Sequence, residues 1–264
     1  MLRLLTAALT AAVCIGLVAG YYALRVRAYS SLDLVLEGDF PIEADDEIGF
    51  IPVRNGATIR RHPRSGLAYH LFTSDRRARV DARGEKTPTG LDLMTIGCSF
   101  SWGHGVENPQ TYTALIARRR GLRAADLAFA SYVTVEADAR RLGGESAFPR
   151  GDPATRQASL EFLLGRMRAL TRKVGAHLVI VYIQYLERGG TNAVPPALSA
   201  ALRSVTGDGV TVLDLAPVVA RYYADPSRPL LRFERDAHPN VAAHALIADE
   251  LEGALQRESL LSPP

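Results

Sequence analysis

The sequence predicts an α/β protein with a parallel sheet covered by helices, and three observations carry that expectation. From Leu91 onward, short apolar runs alternate with longer stretches of helical spacing, the signature of repeated strand and helix units. Leu178-Val179-Ile180-Val181-Tyr182-Ile183 is an unbroken apolar run of the kind that forms a strand buried on both faces. Phe162, Leu163, Met167, Leu170 and Val174 recur at helical spacing.

A chain of 264 residues with 47% hydrophobic content is ample for a packed core. The net charge of +3 does not point to nucleic acid: Lys86 and Lys173 are the only lysines, and the arginines are scattered among acidic residues. No aromatic-basic stripe or nucleic-acid motif occurs, so nucleic acid is excluded as a partner. Cys14 and Cys98 are the only cysteines, which leaves no disulfide framework.

Taken in order, the first element is Leu4 to Leu24, which carries no charge and approaches the ~20 residues that cross a bilayer. It is longer than the roughly 7 to 15 residues of a signal-peptide core, so residues 1–30 read as an N-terminal membrane anchor. A cleaved signal peptide ending near Val18-Ala19-Gly20 is the alternative. Either reading makes export the expectation: a single-pass membrane protein with its main domain outside the cytoplasm, periplasmic or extracellular. Arg3 on one side and Arg25 with Arg27 on the other do not decide orientation. Gly16 and Gly20, extended by Ala8 and Ala12, form a small-residue stripe through which two such helices could dimerise, although Ala and Gly are common in any such helix.

Residues 31–90 alternate short apolar pieces with turn formers and read as a β-rich juxtamembrane segment. Asn55-Gly56 between Ile51-Pro52-Val53 and Ala57-Thr58-Ile59 is a hairpin signal. After the Leu91–Ile96 run, Asn108 is expected to cap a helix that begins at Pro109 and closes at Gly121. Leu122 to Ala130 and Val210 to Leu215 read as further strands, and Asn240 caps a closing helix with Ile247, Leu251 and Leu255 on one side. Residues 257–264 are a C-terminal tail.

Two segments carry chemistry. Gly97-Cys98-Ser99-Phe100-Ser101-Trp102-Gly103 follows a buried strand, so Ser99 sits where the strand breaks into a glycine-bearing turn. Asp236-Ala237-His238-Pro239-Asn240 supplies a carboxylate and an imidazole just ahead of a helix start. A hydroxyl becomes a nucleophile only when a neutral imidazole takes its proton, and that imidazole needs a partner to fix its tautomer. Together the segments suggest a serine hydrolase. Cys98 could itself attack, but strand alternation aims neighbouring side chains oppositely, so Cys98 is expected to be buried packing. His104 is expected at the surface, and His62, His70 and His177 show no partner pattern. His244 with His238 and Asp236 lacks any metal-ligand spacing, so no metal is expected.

In these two blocks the chain resembles the SGNH or GDSL-type hydrolases, over residues 91–256. The first block has Cys98 where that family usually has Asp, and one residue separates Asp236 from His238 where many members have two. The resemblance implies a three-layer α/β/α, flavodoxin-like core with Ser99 as nucleophile, His238 as general acid/base and Asp236 as orienting carboxylate, Glu234 being its alternative. It implies an oxyanion hole from the backbone N–H of Ser99 and of Ser131, which stands where the family's second block has glycine. The family's third block, Gly-x-Asn-Asp, has no counterpart between Tyr132 and Ala176; Asn192 is the only asparagine nearby. The resemblance implies an esterase or deacylase without a cofactor, acting on an ester-bearing small molecule, lipid or glycan. Two alternatives remain: a cell-surface glycan O-acyltransferase or deacetylase, and a catalytically impaired scaffold that keeps the fold.

Overall fold

The computed structural model describes residues 34–38, 42–45, 49–62, 66–128, 153–183, 186–189, 196–207, 209–234 and 236–261. Its strands are β1 (Leu34–Gly38), β2 (Ile42–Asp45), β3 (Gly49–Pro52), β4 (Ala57–Arg61), β5 (Ala68–Thr73), β6 (Arg79–Val80), β7 (Leu93–Gly97), β8 (Ala124–Ala128), β9 (Leu178–Tyr182) and β10 (Val210–Asp214). Its helices are α1 (Tyr112–Arg120), α2 (Pro153–Lys173), α3 (Pro196–Val205), α4 (Ala216–Tyr222) and α5 (Val241–Arg257).

The order β1-β4-β5-β6-β8-β7 makes one sheet of two characters. β7 and β8 run parallel, with Met94 opposite Ala125 and Ile96 opposite Leu127. Beyond β8 the sheet continues antiparallel, because Arg79 of β6 pairs with Asp126. β9 and β10 form a second parallel pair. Both parallel pairs share one core: Leu93, Val179 and Val181 pack on Leu213 and Leu215, on Tyr112 and Ile116 of α1, and on Ile247, Leu251 and Leu255 of α5. The arrangement is mixed α/β: the parallel pair β8–β7 ends the six-stranded sheet, whose remaining pairings are antiparallel, and β9–β10 is a separate parallel pair. The opposite face of β7 leaves Met94 and Ile96 each 52% exposed. The apolar row of α2 is also open, with Phe162 67% and Leu170 58% exposed.

Two local expectations change. The Arg54-Asn55 turn forms, with Asn55 at φ 53, but its flanking strands do not pair with each other. β3 pairs with β2, while β4 pairs with β1 and β5, because Asn55 N–H and Gly56 N–H are taken by Ser74 O and Thr73 Oγ1. Asn108 and Pro109 open only a short 3₁₀ turn, Asn108–Gln110. Thr111 then caps α1 by accepting the Ala114 N–H at 3.3 Å, and Gly121 ends it in the left-handed conformation. The α5 cap is Asn240, whose side chain accepts the Ala243 N–H at 3.1 Å.

The membrane placement is corrected: no helix among the described residues is long and apolar enough to cross a membrane. At 21 residues, α2 has the length, but its sequence carries Arg156, Glu161, Arg166, Arg168, Arg172 and Lys173. The expected anchor, Leu4 to Leu24, lies outside the described residues, so the single-pass and extracytoplasmic assignment drawn from it has no structural basis.

His244 of α5 is wholly buried, accepts the Tyr112 N–H through Nδ1 at 3.3 Å and stacks on the Tyr112 ring. Burial, assisted by the Arg79 charge, lowers its pKa to about 3. A histidine held neutral in the fold contributes stability in full above its unfolded value near 6.5, and that stability is lost as pH falls from there toward 3. The His244→Gln variant, which does not titrate in this range, is therefore expected to escape an acid loss of about 2 kcal/mol between pH 7 and pH 5. Urea unfolding of both proteins at the two pH values checks this; parallel losses would refute it.

Candidate active site

β7 delivers Ser99 into a tight turn. The Ser101 and Trp102 N–H groups both donate to Cys98 O at 3.1 Å, and Ser101 Oγ donates to the same carbonyl at 2.9 Å. A Cβ at position 97 would come within 2.3 Å of Ser101 Oγ and 3.0 Å of its Cβ, so a larger residue there would push the Ser101 side chain off its bond to Cys98 O. The Ser99 N–H has no hydrogen-bond partner among the described residues.

A closed loop ahead of α5 presents Asp236 and His238. Phe233 N–H donates to His238 O and Asp236 N–H to Phe233 O, each at 3.2 Å, and Arg232 bridges to Pro239. Asn240, besides capping α5, donates through Nδ2 to Leu230 O at 2.7 Å and Arg232 O at 3.1 Å. One side chain thus starts the helix and ties the loop that precedes it.

The two segments meet. Ser99 Oγ lies 2.8 Å from His238 Nε2, and His238 Nδ1 lies 2.6 Å from Asp236 Oδ1, which also accepts the His238 N–H at 2.8 Å. A carboxylate only accepts, so Nδ1 carries the proton and Nε2 is left to receive one from the serine hydroxyl. Burial alone would raise the Asp236 carboxyl's pKa. The hydrogen bonds from His238 and His62, together with the His238 charge, outweigh it and hold the carboxyl well below the usual range. Glu234, the alternative carboxylate, is exposed. Ser131 and Asn192 lie outside the described residues.

Three residues join the site without a motif to announce them. His62, at the end of β4 and fully buried, places Nε2 3.0 Å from Asp236 Oδ2. His104 is part-buried and packs its ring on His238 with centroids 4.2 Å apart, where a surface position was expected. Donor atoms of His62, His104 and Asp236 lie within 4.8 Å of one another, the one group among the described residues that could hold a metal ion. The third is Arg79 of β6, whose buried guanidinium donates to Gly103 O at 2.7 Å and to the carbonyls of Trp102 and Val106. It thereby holds the loop that follows Ser99. Cys98 is exposed, contrary to the packing role expected of it, because it continues the open Met94 and Ile96 face of β7.

Beneath Arg79 lies Asp126, buried, with no hydrogen-bond partner for either oxygen among the described residues. Burial raises its pKa to about 7, and the Arg79 charge opposes that rise. Burial likewise lowers the pKa of Arg79, against the field of Asp126.

No protein-family model matches the chain, and no curated protein matches it in sequence. Solved structures similar to the chain include the following two. The crystal structure of TesA is 19% identical with a TM-score of 0.40, covering 64% of this chain and 99% of TesA. The salicylyl-acyltransferase SsfX3 from a tetracycline biosynthetic pathway is 17% identical with a TM-score of 0.39, covering 67% of this chain and 58% of that one. Likenesses of this size carry no argument about activity.

Removing Arg79 would leave three carbonyls without their donor and take away the charge that opposes the effect of burial on Asp126. Arg79→Met is expected to cost about 3–5 kcal/mol at pH 8. The cost is expected to be smaller at pH 5.5, where Asp126, with its pKa raised to about 7, is protonated in the fold. Guanidinium unfolding at both pH values tests this, and an equal cost at the two would show that the carboxylate plays no part.

Proposed function

We propose that this chain is a serine ester hydrolase of the SGNH type, working through an acyl-enzyme. The observation that supports the reading is the unbroken run of bonds from Ser99 Oγ through His238 to Asp236, at 2.8 and 2.6 Å. In the proposed reaction, His238 Nε2 takes the Ser99 proton as Oγ attacks the ester carbonyl. The carbonyl oxygen becomes an oxyanion beside the Ser99 N–H, with the Ser131 N–H as the second proposed donor. His238 then passes its proton to the leaving alcohol, and the acyl group stays on Ser99. A water molecule, deprotonated by the same imidazole, releases the acid. Asp236, held ionised by its hydrogen bonds, stabilises the imidazolium that forms at each step.

The reading is tested with a fluorophosphonate probe and p-nitrophenyl acetate. Ser99→Ala is expected to abolish both labelling and turnover, and Asp236→Asn to lower kcat about 10⁴-fold. Failure of the intact protein to label, or turnover surviving in Ser99→Ala, would dismiss the hydrolase. Mass spectrometry with sugars present as acceptors separates transfer from hydrolysis.

A further inference from the structure

We propose that His62 is a positioning residue of this site: its Nε2–H donates to Asp236 Oδ2 and fixes the carboxylate whose other oxygen holds His238. The proposal rests on the serine-hydrolase reading for its catalytic meaning, though the bond itself does not.

A carboxylate with one anchored oxygen can still turn about its Cβ–Cγ bond and carry that oxygen away from its partner. Asp236 is anchored on both: Oδ1 receives the His238 ring and backbone N–H groups, and Oδ2 faces His62 Nε2 at 3.0 Å. Because a carboxylate only accepts, His62 must carry its proton on Nε2. The two side chains are 0% and 8% exposed, so water has little room to replace the bond.

The His62 ring is itself held in place. It stacks on Phe233 with centroids 4.6 Å apart and meets His104 edge-on at 5.7 Å. Its backbone N–H donates to Leu67 O at 2.9 Å as the chain leaves β4. Gly105, at φ +85, lets the nucleophile loop approach this stack, since a Cβ there would come within 2.7 Å of the Phe233 ring and 3.2 Å of His62 Cδ2. A donor from the antiparallel part of the sheet therefore reaches a carboxylate 174 residues away in sequence. A metal ion bound by His62, His104 and Asp236 is the competing account of the same geometry, and one held through His62 Nε2 requires that nitrogen without a proton.

The test uses the full chain labelled with ¹⁵N-histidine. At pH 8, NMR is expected to show His62 protonated at Nε2 and a hydrogen-bonded, downfield His238 Nδ1–H. His62→Phe keeps the stacking on Phe233 but removes the donor. It is expected to lose the His238 resonance to exchange and to lower kcat about ten- to a hundredfold, with KM within about twofold. His62→Gln, which restores a donor without a ring, is expected to recover most of both signals. An unprotonated Nε2 in the wild type overturns the proposal in favour of a metal. A His62→Phe protein with its resonance and kcat intact overturns it in favour of packing alone. Should that variant not fold, the wild-type tautomer and the glutamine variant decide. If the wild type turns over no ester but its His238 resonance depends on His62, the hydrolase reading falls and the positioning role stands.

Discussion

Everything at the site turns on the Asp236 carboxylate and the three N–H groups aimed at it. Two come from His238 and one from His62, and together they keep it ionised where burial would otherwise favour its neutral form. An ionised carboxylate fixes the His238 tautomer, and the tautomer decides whether the ring can accept from Ser99. The 2.6 Å bond on one side of the imidazole and the 2.8 Å bond on the other are two ends of that single constraint.

The antiparallel strands before β7 share in this arrangement. Arg79 reaches from β6 to the carbonyls after Ser99, and His62 reaches from β4 to Asp236. The buried Arg79 and Asp126 pair occupies the point where the antiparallel and parallel parts of the sheet join. The two charges attract without an ion-pair contact or a hydrogen bond to either Asp126 oxygen, and burying them costs desolvation of both. Arg79 ties the turn that carries Ser99 to the strand ladder through the carbonyls of Trp102, Gly103 and Val106.

The sequence made some of this legible and hid the rest, for physical reasons. β9, β10 and α5 were readable because their signals are local: continuous apolar runs, and an asparagine followed by Ile247, Leu251 and Leu255 on one helical face. Ser99, Asp236 and His238 stood out because each lies in a short block whose chemistry is recognisable by spacing. The hairpin at Asn55 misled, since turn chemistry sets a bend but partners for the flanking strands are chosen by distant segments. Asn108 was expected as the cap of α1, but Thr111, three residues on, holds that place; both are capping residue types, so propensity alone does not separate them. His62 gave no signal at all. Its role depends on a strand ending opposite a loop far along the chain, which no local pattern encodes.

That remoteness has a structural consequence. Ser99, His238 and Asp236 come from two segments that share the core around Leu93, Leu213 and Ile247, so their meeting follows from packing the parallel strands against α1 and α5. His62 and Arg79 depend instead on β4 and β6 finding places in an antiparallel ladder that joins β8 through a single Arg79–Asp126 register. Non-local pairings of this kind repay their loop-closure entropy only once the whole sheet is assembled. The three central side chains can therefore be brought near one another by the core alone, while the bonds that hold Asp236 on its second oxygen and pin the loop after Ser99 arrive with the rest of the fold. Precise geometry at the serine is then a property of the complete sheet, because the groups that restrict the carboxylate and the loop are supplied from its antiparallel half.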